Sequence, residues 1–190
     1  MAENVEELKA ALVGTWASLA PEIRPSKNPD GTIKPFFLER RFVYHPAERF
    51  ELTATSLADP FARAKLATIE IAGHMLWRGE HAIAQGAQKV DFVADEAYAV
   101  TPMLQPFADL LDKVASDGYA PWKIGERQSI LGKAFPPFGL QKGAIFKEYD
   151  LVYLAHGMLF WGARNVDGRG FDTEANRPTN LQIPLVRAES

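Results

Sequence analysis

Apolar and polar residues alternate along most of this chain with the two-residue period of half-buried strands. The pattern is plainest over Arg49 to Ser56, where Phe50, Leu52 and Ala54 face one way and Arg49, Glu51 and Thr53 the other. Phe36 to Tyr44 alternates before it, across a turn at Pro46 and Ala47. Leu66 to Trp77 sets Ile69, Ile71, Met75 and Trp77 on one face and Glu70, His74 and the adjoining Arg78 on the other. Glu80 to Ala84 can pair back through Arg78-Gly79, and Lys89 to Tyr98 carries Val90, Phe92 and Ala94 on one face. Ile145 to His156 and Met158 to Arg164 read as a pair joined at His156-Gly157. Leu181 to Arg187 closes the series, with Pro184 the one residue against it.

Two stretches change to a helical period. Glu3 to Leu12, within an N-terminal helical segment 1–12, gathers Val5, Leu8, Ala11 and Leu12 on one side, and Gly14 ends it. Pro102 to Ala115, in an inserted segment 102–117, repeats apolar residues at Met103, Phe107, Leu110, Leu111 and Val114. Thr101 can cap that helix, Pro102 suits its first turn and Gly118 stops it. Two prolines make Lys133 to Gly143 a loop, and the polar run Asn165 to Asn180 is another.

About eight strands in series, without alternating helices, predict one antiparallel barrel or sandwich over residues 1–190. Closure into a barrel removes the exposed sheet edges, and about eight strands leave room for one small ligand.

Composition narrows the function. The net charge is −3 and no basic stripe is present, which argues against nucleic acid as a partner. There is no cysteine, so disulfides, thiolate metal sites and a cysteine nucleophile are excluded. No apolar run approaches the ~20 residues of a membrane-spanning helix. The acidic N-terminus lacks the basic and apolar regions of a signal peptide, so a cytoplasmic location is expected.

Gly14-Thr15-Trp16 is the G-x-W element of the first strand in lipocalin-like barrels, where the indole plugs one end and its N–H finds a partner. Trp16-Ala17-Ser18, Glu22-Ile23-Arg24-Pro25 and Phe37-Leu38-Glu39-Arg40-Arg41-Phe42 follow in order. Leu57-Ala58-Asp59-Pro60, Pro121-Trp122 and Lys147-Glu148-Tyr149-Asp150-Leu151 come later. Together these resemble the APCDD1 (adenomatosis polyposis coli down-regulated 1) family, most distinctively over the first 45 residues or so. The resemblance implies a lipocalin-like barrel that binds lipid in an apolar cavity. In animals the family is an extracellular, membrane-attached antagonist of Wnt signalling. Here Pro21 stands where the family has a cysteine before its Glu-x-Arg-Pro element, and no other cysteine replaces it. The expected protein is therefore a stand-alone version suited to a bacterial cytoplasm, to which the Wnt role does not transfer.

The candidate residues follow. Glu22, Arg24, Arg40 and Arg41 form a salt-bridge cluster around Trp16, or else Arg24 or Arg40 stands at the cavity mouth and holds a ligand carboxylate or phosphate, for which the planar guanidinium is suited. Phe42, Trp77, Tyr149, Tyr153 and Trp161 are either core or cavity wall, with a phenol to orient the ligand. Phe135, Phe138, Met103, Phe107 and Leu110 either cover the mouth or pack outside it. The four histidines, His45, His74, His81 and His156, lack metal-ligand spacing, so no metal is expected. His74 and Glu70 share a face but stand roughly 13 Å apart along one strand. If the Ile69/Trp77 face turns inward, His74 points out and cannot serve as an interior acid or base.

The expected function is binding or sequestration of a lipid-like or aromatic molecule, without a cofactor. The rival is a cofactor-free cyclase, isomerase or hydratase that folds an apolar substrate in the same cavity, with His74, Glu148, Tyr149 and Tyr153 as acid–base groups. A filled barrel with no ligand is the third reading. A second copy of the chain, in a homodimer, is admitted as a partner.

Overall fold

The computed structural model describes residues 5–28 and 30–189. Helix α1 (Val5–Leu12) buries Leu8 and Leu12 and exposes Ala11. The first residues of the expected helix, through Asn4, lie outside the described residues. The strands are β1 (Gly14–Ser18), β2 (Glu22–Lys27), β3 (Ile33–Tyr44), β4 (Arg49–Leu57), β5 (Lys65–Glu80) and β6 (Gln88–Pro102). Helix α2 (Gln105–Val114) follows, then β7 (Gln128–Ser129), β8 (Lys147–Ala155), β9 (Met158–Trp161) and β10 (Leu185–Arg187).

All pairings are antiparallel. β10 pairs with β1 and β1 with β3, so β1, β3, β4, β5, β6, β8, β9 and β10 close an eight-stranded ring, unevenly disposed about its axis. This is the expected antiparallel barrel with an N-terminal and an inserted helix. β2 and β7 lie off the ring. β2 continues β1 along β3, since Ala17 faces Arg41 and Glu22 faces Leu38. β7 pairs with the far end of β6, where Ala99 faces Ser129.

The expected strand Glu80 to Ala84 is instead a turn, since β5 ends at Glu80 and β6 begins at Gln88, and two further differences concern the inserted helix and the chain's end. β6 runs through Thr101 and Pro102 because the Met103 N–H still donates to Leu66 O at 2.8 Å, so the chain stays extended there. The helix begins later, with Pro106 in its first turn, and buries Ala108 and Leu111 while Met103, Leu110 and Val114 remain exposed. The second difference is at the chain's end. Only Leu185–Arg187 is strand, because a proline cannot donate to the ladder and the strand starts after Pro184.

Inward residues form a first core of Trp16, Phe42, Tyr44, Phe50, Leu52, Met75, Phe92 and Trp161 with neighbouring aliphatics. Phe92 and Phe42 lie 4.2 and 4.4 Å from Trp161 between ring centroids. The Trp16 N–H donates to Leu12 O at 2.7 Å, tying the plug of the barrel end to α1. β5 and β6 project beyond the ring, and residues 103–146 fold over their inward face. That builds a second core from Tyr98, Val100, Leu111, Trp122, Ile130 and Phe135, continuous with the first through Ile71. Phe135 and Phe138 belong here, over the barrel end opposite α1.

Candidate functional site

Alternation on β2, β3 and β8 turns Glu22, Arg24, Arg40, Glu148 and Asp150 toward the same lumen as Phe42 and Trp161. Glu22 accepts from Arg40 Nε at 2.8 Å, from Arg24 Nη2 at 3.0 Å and from the Ser18 hydroxyl at 2.7 Å. Burial pushes its carboxyl up, but Arg40 and Arg24 outweigh burial and the net shift is downward. Asp150 goes the other way: burial, then the charge of Glu148, raise it to about 8 despite Arg40 and Arg24. One Asp150 oxygen accepts from the backbone N–H groups of Leu151 and Gly162. The other, Oδ2, is buried with no partner among the described residues, as is Arg40 Nη2. The Arg40 guanidinium lies 5.0 Å from the centre of the Trp161 ring. A cavity of about 10 Å³ beside Glu148, Phe92 and Trp161 is the size of a single water. The lumen therefore joins an aromatic stack to a charged cluster, and burial holds one of its carboxyl groups, Asp150, well above the ordinary carboxylate range.

Several sequence candidates lie elsewhere. His74 is on the outer face, 45% exposed, with Nδ1 3.0 Å from Asp95 and Nε2 3.5 Å from Glu96, because the Ile69/Trp77 face turns inward. Tyr149 and Tyr153 also point outward. A strap, residues 162–184, covers that part of the wall: the Tyr149 N–H donates to Phe171 O at 2.7 Å. Under the strap, buried Asp91 meets Arg177 at 2.6 Å, Arg78 at 2.7 Å and Lys147 at 3.0 Å. Tyr149 is flanked by Lys147 and Arg177, and Tyr153 contacts Phe160. Trp16, Phe42, Trp161, Arg24, Arg40 and Glu148 share the lumen; His74, Tyr149 and Tyr153 do not join them.

Trp77 contributes to a different feature. A pocket of about 640 Å³ opens where α1 crosses the barrel end. Its walls are α1 (Lys9, Leu12), the β3–β4 turn (Tyr44 to Glu48) and β5 (Met75, Trp77). The β3–β4 turn carries Ala47 at φ 60° and Glu48 at φ 61°, a left-handed conformation that costs non-glycine residues roughly 1–2 kcal/mol each. The His45 N–H closes the turn on Arg49 O at 2.9 Å, Glu48 O accepts from the Met75 N–H at 2.8 Å, and the Glu48 carboxylate meets Lys9 Nζ at 2.6 Å. The Trp77 indole N–H is buried and has no partner among the described residues.

Sequence reasoning missed Asp150, Lys9 and Glu48. Asp150 is flagged only by being a lone acid in the apolar run Tyr149 to Leu154, whereas Lys9 and Glu48 meet only through the fold. Among the described residues no group of His, Asp and Glu is placed to hold a metal ion, and no helix is long and apolar enough to cross a membrane. Neither protein-family models nor curated protein sequences give a match to this chain.

Proposed function

We propose that this protein binds a hydrophobic small molecule, lipid-like or aromatic, in the pocket that α1 closes at the barrel end. The observation that carries this reading is the pocket itself. At about 640 Å³ it falls within the size range of small-molecule sites, and its floor of Leu12, Tyr44, Met75 and Trp77 is apolar with few polar groups. Strained left-handed residues such as Ala47 and Glu48 persist where surrounding structure over-determines them, and they cluster at ligand clamps. The lipid-binding barrel implied by the APCDD1 resemblance agrees with this reading.

The test is a fluorescence titration with neutral N-phenyl-1-naphthylamine, comparing the wild type with Ala10→Trp, which fills the pocket from exposed α1. Saturable one-to-one binding that falls tenfold or more in the variant, at an unchanged melting temperature, is expected. Equal binding by both would remove the ligand from this pocket.

One observation favours a second reading, the cofactor-free enzyme. Burial and the charge of Glu148 raise the Asp150 carboxyl, as suits a general acid, for a substrate that the packed lumen would have to open to admit. Loss of turnover in Asp150→Asn, with the pocket's ligand binding intact, would separate this activity from the binding role.

A further inference from the structure

Three segments meet at the barrel end opposite α1. The β2–β3 hairpin runs past β4: Phe37 faces Leu57, the last residue of β4, and β3 continues from Phe36 back to Ile33 against Arg24 to Lys27. Beside it the β4–β5 loop turns at the same end, closed by the Ala58 N–H on Ala64 O at 2.9 Å. The strap reaches the hairpin too, so closely that a Cβ on Gly168 would come within 2.9 Å of the Lys27 nitrogen. Each segment presents one apolar side chain to solvent. Ile33, Phe61 and Val166 are 49%, 70% and 91% exposed. The loop that carries Phe61 is hydrogen-bonded within itself, since Asp59 accepts from the N–H groups of Phe61 at 2.9 Å and Ala64 at 3.0 Å.

The charge of this end is opposite to that of the whole chain. Residues 27–34, 59–65 and 166–169 carry five cations and three carboxylates, a net +2 on a chain of net −3. The carboxylates turn onto their own segments: Asp30 accepts from the Thr32 N–H, Asp59 from its loop, and Asp167 meets Arg169. Lys27, Lys34, Arg63 and Lys65 are exposed and form no ion pair among the described residues. The Arg63 guanidinium lies over the Phe61 ring, 5.0 Å from its centre, so cation and apolar group leave the surface together.

We infer that this end of the barrel docks on an anionic phospholipid surface. Phe61, Ile33 and Val166 enter between headgroups, and the four unpaired cations lie against headgroup phosphates and carboxylates, which attract lysine and arginine. Apolar tips on three separate segments suit a soft interface that each can enter, whereas a protein partner needs one contiguous, complementary patch. This goes beyond the ligand reading, because the α1 pocket lies at the other barrel end, by the β3–β4 turn.

The test is flotation with phosphatidylcholine vesicles, with and without phosphatidylserine, at low salt and at about 1 M salt, where charges are screened within ~3 Å. The wild type is expected to partition onto phosphatidylserine vesicles at least about tenfold more strongly than onto phosphatidylcholine alone, and to be released by salt. Lys34→Gln and Lys65→Gln should each weaken partitioning about fivefold. Phe61→Ser should weaken it about tenfold. Melting temperatures should not change, since all three side chains are exposed. Ala10→Trp, which fills the α1 pocket, should float as the wild type does. Equal partitioning onto both vesicles would overturn the inference. So would flotation with neither, the outcome for a surface that takes an acidic protein. Undiminished binding by both lysine variants would overturn it as well. Undiminished binding by Phe61→Ser would reduce the surface to a general polyanion contact and overturn docking by insertion. Loss of flotation in Ala10→Trp would assign the lipid association to the pocket instead.

Discussion

Arg40 and Glu22 meet inside the barrel at 2.8 Å, 18 residues apart in sequence, with both side chains almost wholly buried. Glu22 also holds Arg24, so one carboxylate makes the direct ion pairs of two guanidinium groups in a low-dielectric interior, with Glu148 acting on Arg24 from farther off. Glu22→Gln keeps the shape and removes the countercharge. Breaking a buried ion pair from one side costs about 3–5 kcal/mol, because the remaining charge is uncompensated. Urea unfolding should show a loss of that size. Replacing Glu22, Arg24 and Arg40 together by Leu, Met and Met should cost less than Glu22→Gln alone. If the triple variant were the less stable of the two, the cluster would be a net stabilising element, not a specificity device held against its desolvation cost.

Asp150 and Glu22 respond to pH with opposite signs. Glu22 is shifted down, so its contribution is present above its ordinary pKa and is lost as pH falls through the lowered value. Asp150 is shifted up, from 3.8 to about 8. Through that window the unfolded chain has released the proton and the folded chain keeps it, so rising pH favours unfolding. Its contribution is full below about 3.8 and exhausted above about 8. Asp150→Asn preserves the acceptor for the Leu151 and Gly162 N–H groups and cannot ionise. The stability of the variant relative to wild type should therefore rise between pH 5 and pH 8, by up to about 1.4 kcal/mol per pH unit, and then level off. A difference that stays constant over this range would show that Asp150 titrates normally.

Gly73 marks the point where β6 bulges against β5. Ala72 faces Ala97, yet His74 faces Val93, so two extra residues of β6 are accommodated opposite one glycine. A Cβ at position 73 would overlap the Val93 carbonyl oxygen and come within 2.6 Å of an Asp95 carboxylate oxygen. The backbone there cannot yield as a flexible side-chain end would. Gly73→Ala should destabilise by at least about 3 kcal/mol, the range of severe steric effects, whereas Gly79→Ala meets no neighbouring atom and should cost only the roughly 1–2 kcal/mol of a left-handed non-glycine residue, since Gly79 has φ 83°. Similar melting temperatures for Gly73→Ala and wild type would mean that the bulge shifts freely.

The barrel was legible because β3, β4 and β5 alternate cleanly, and Gly14-Thr15-Trp16 marks the closing strand. Orientation was legible only where one face is polar. On β8, Tyr149, Leu151 and Tyr153 alternate with Val152 and Leu154, and both faces are apolar because the strap buries the outside. A two-residue period then cannot tell lumen from wall, so Tyr149 and Tyr153 read as lumen candidates while Asp150 passed unnoticed. Asp91 hides for the same reason, a buried acid on an outward position. β7 is two residues long and carries no periodic signal. The pocket joins side chains from positions 9, 48 and 77, which no local pattern connects.

The strap over β6 and β8 is held chiefly by Arg177. Its guanidinium donates to Val90 O at 3.1 Å, to Asp150 O at 2.8 Å and to Asp91 Oδ1 at 2.6 Å. Asp91 also pairs with Arg78 and Lys147, so its removal leaves three cations gathered about an uncharged side chain, one of them almost wholly buried. Asp91→Asn keeps the volume and should therefore act first on the strap, whose remaining attachments are a few backbone bonds such as Tyr149 N–H to Phe171 O and Ala163 N–H to Asn180 O. Local opening should become easier than global unfolding. Trypsin cleavage after the half-buried Arg164 and the exposed Arg169 is expected to accelerate about tenfold or more, with far-ultraviolet circular dichroism unchanged. Arg177→Met removes the other partner of the buried pair and should give the same cleavage pattern, while Arg78→Met, on the exposed side of Asp91, should have a small effect. Equal cleavage rates in wild type and Asp91→Asn would place the strap's anchorage in its backbone bonds and leave the ion cluster without a mechanical role.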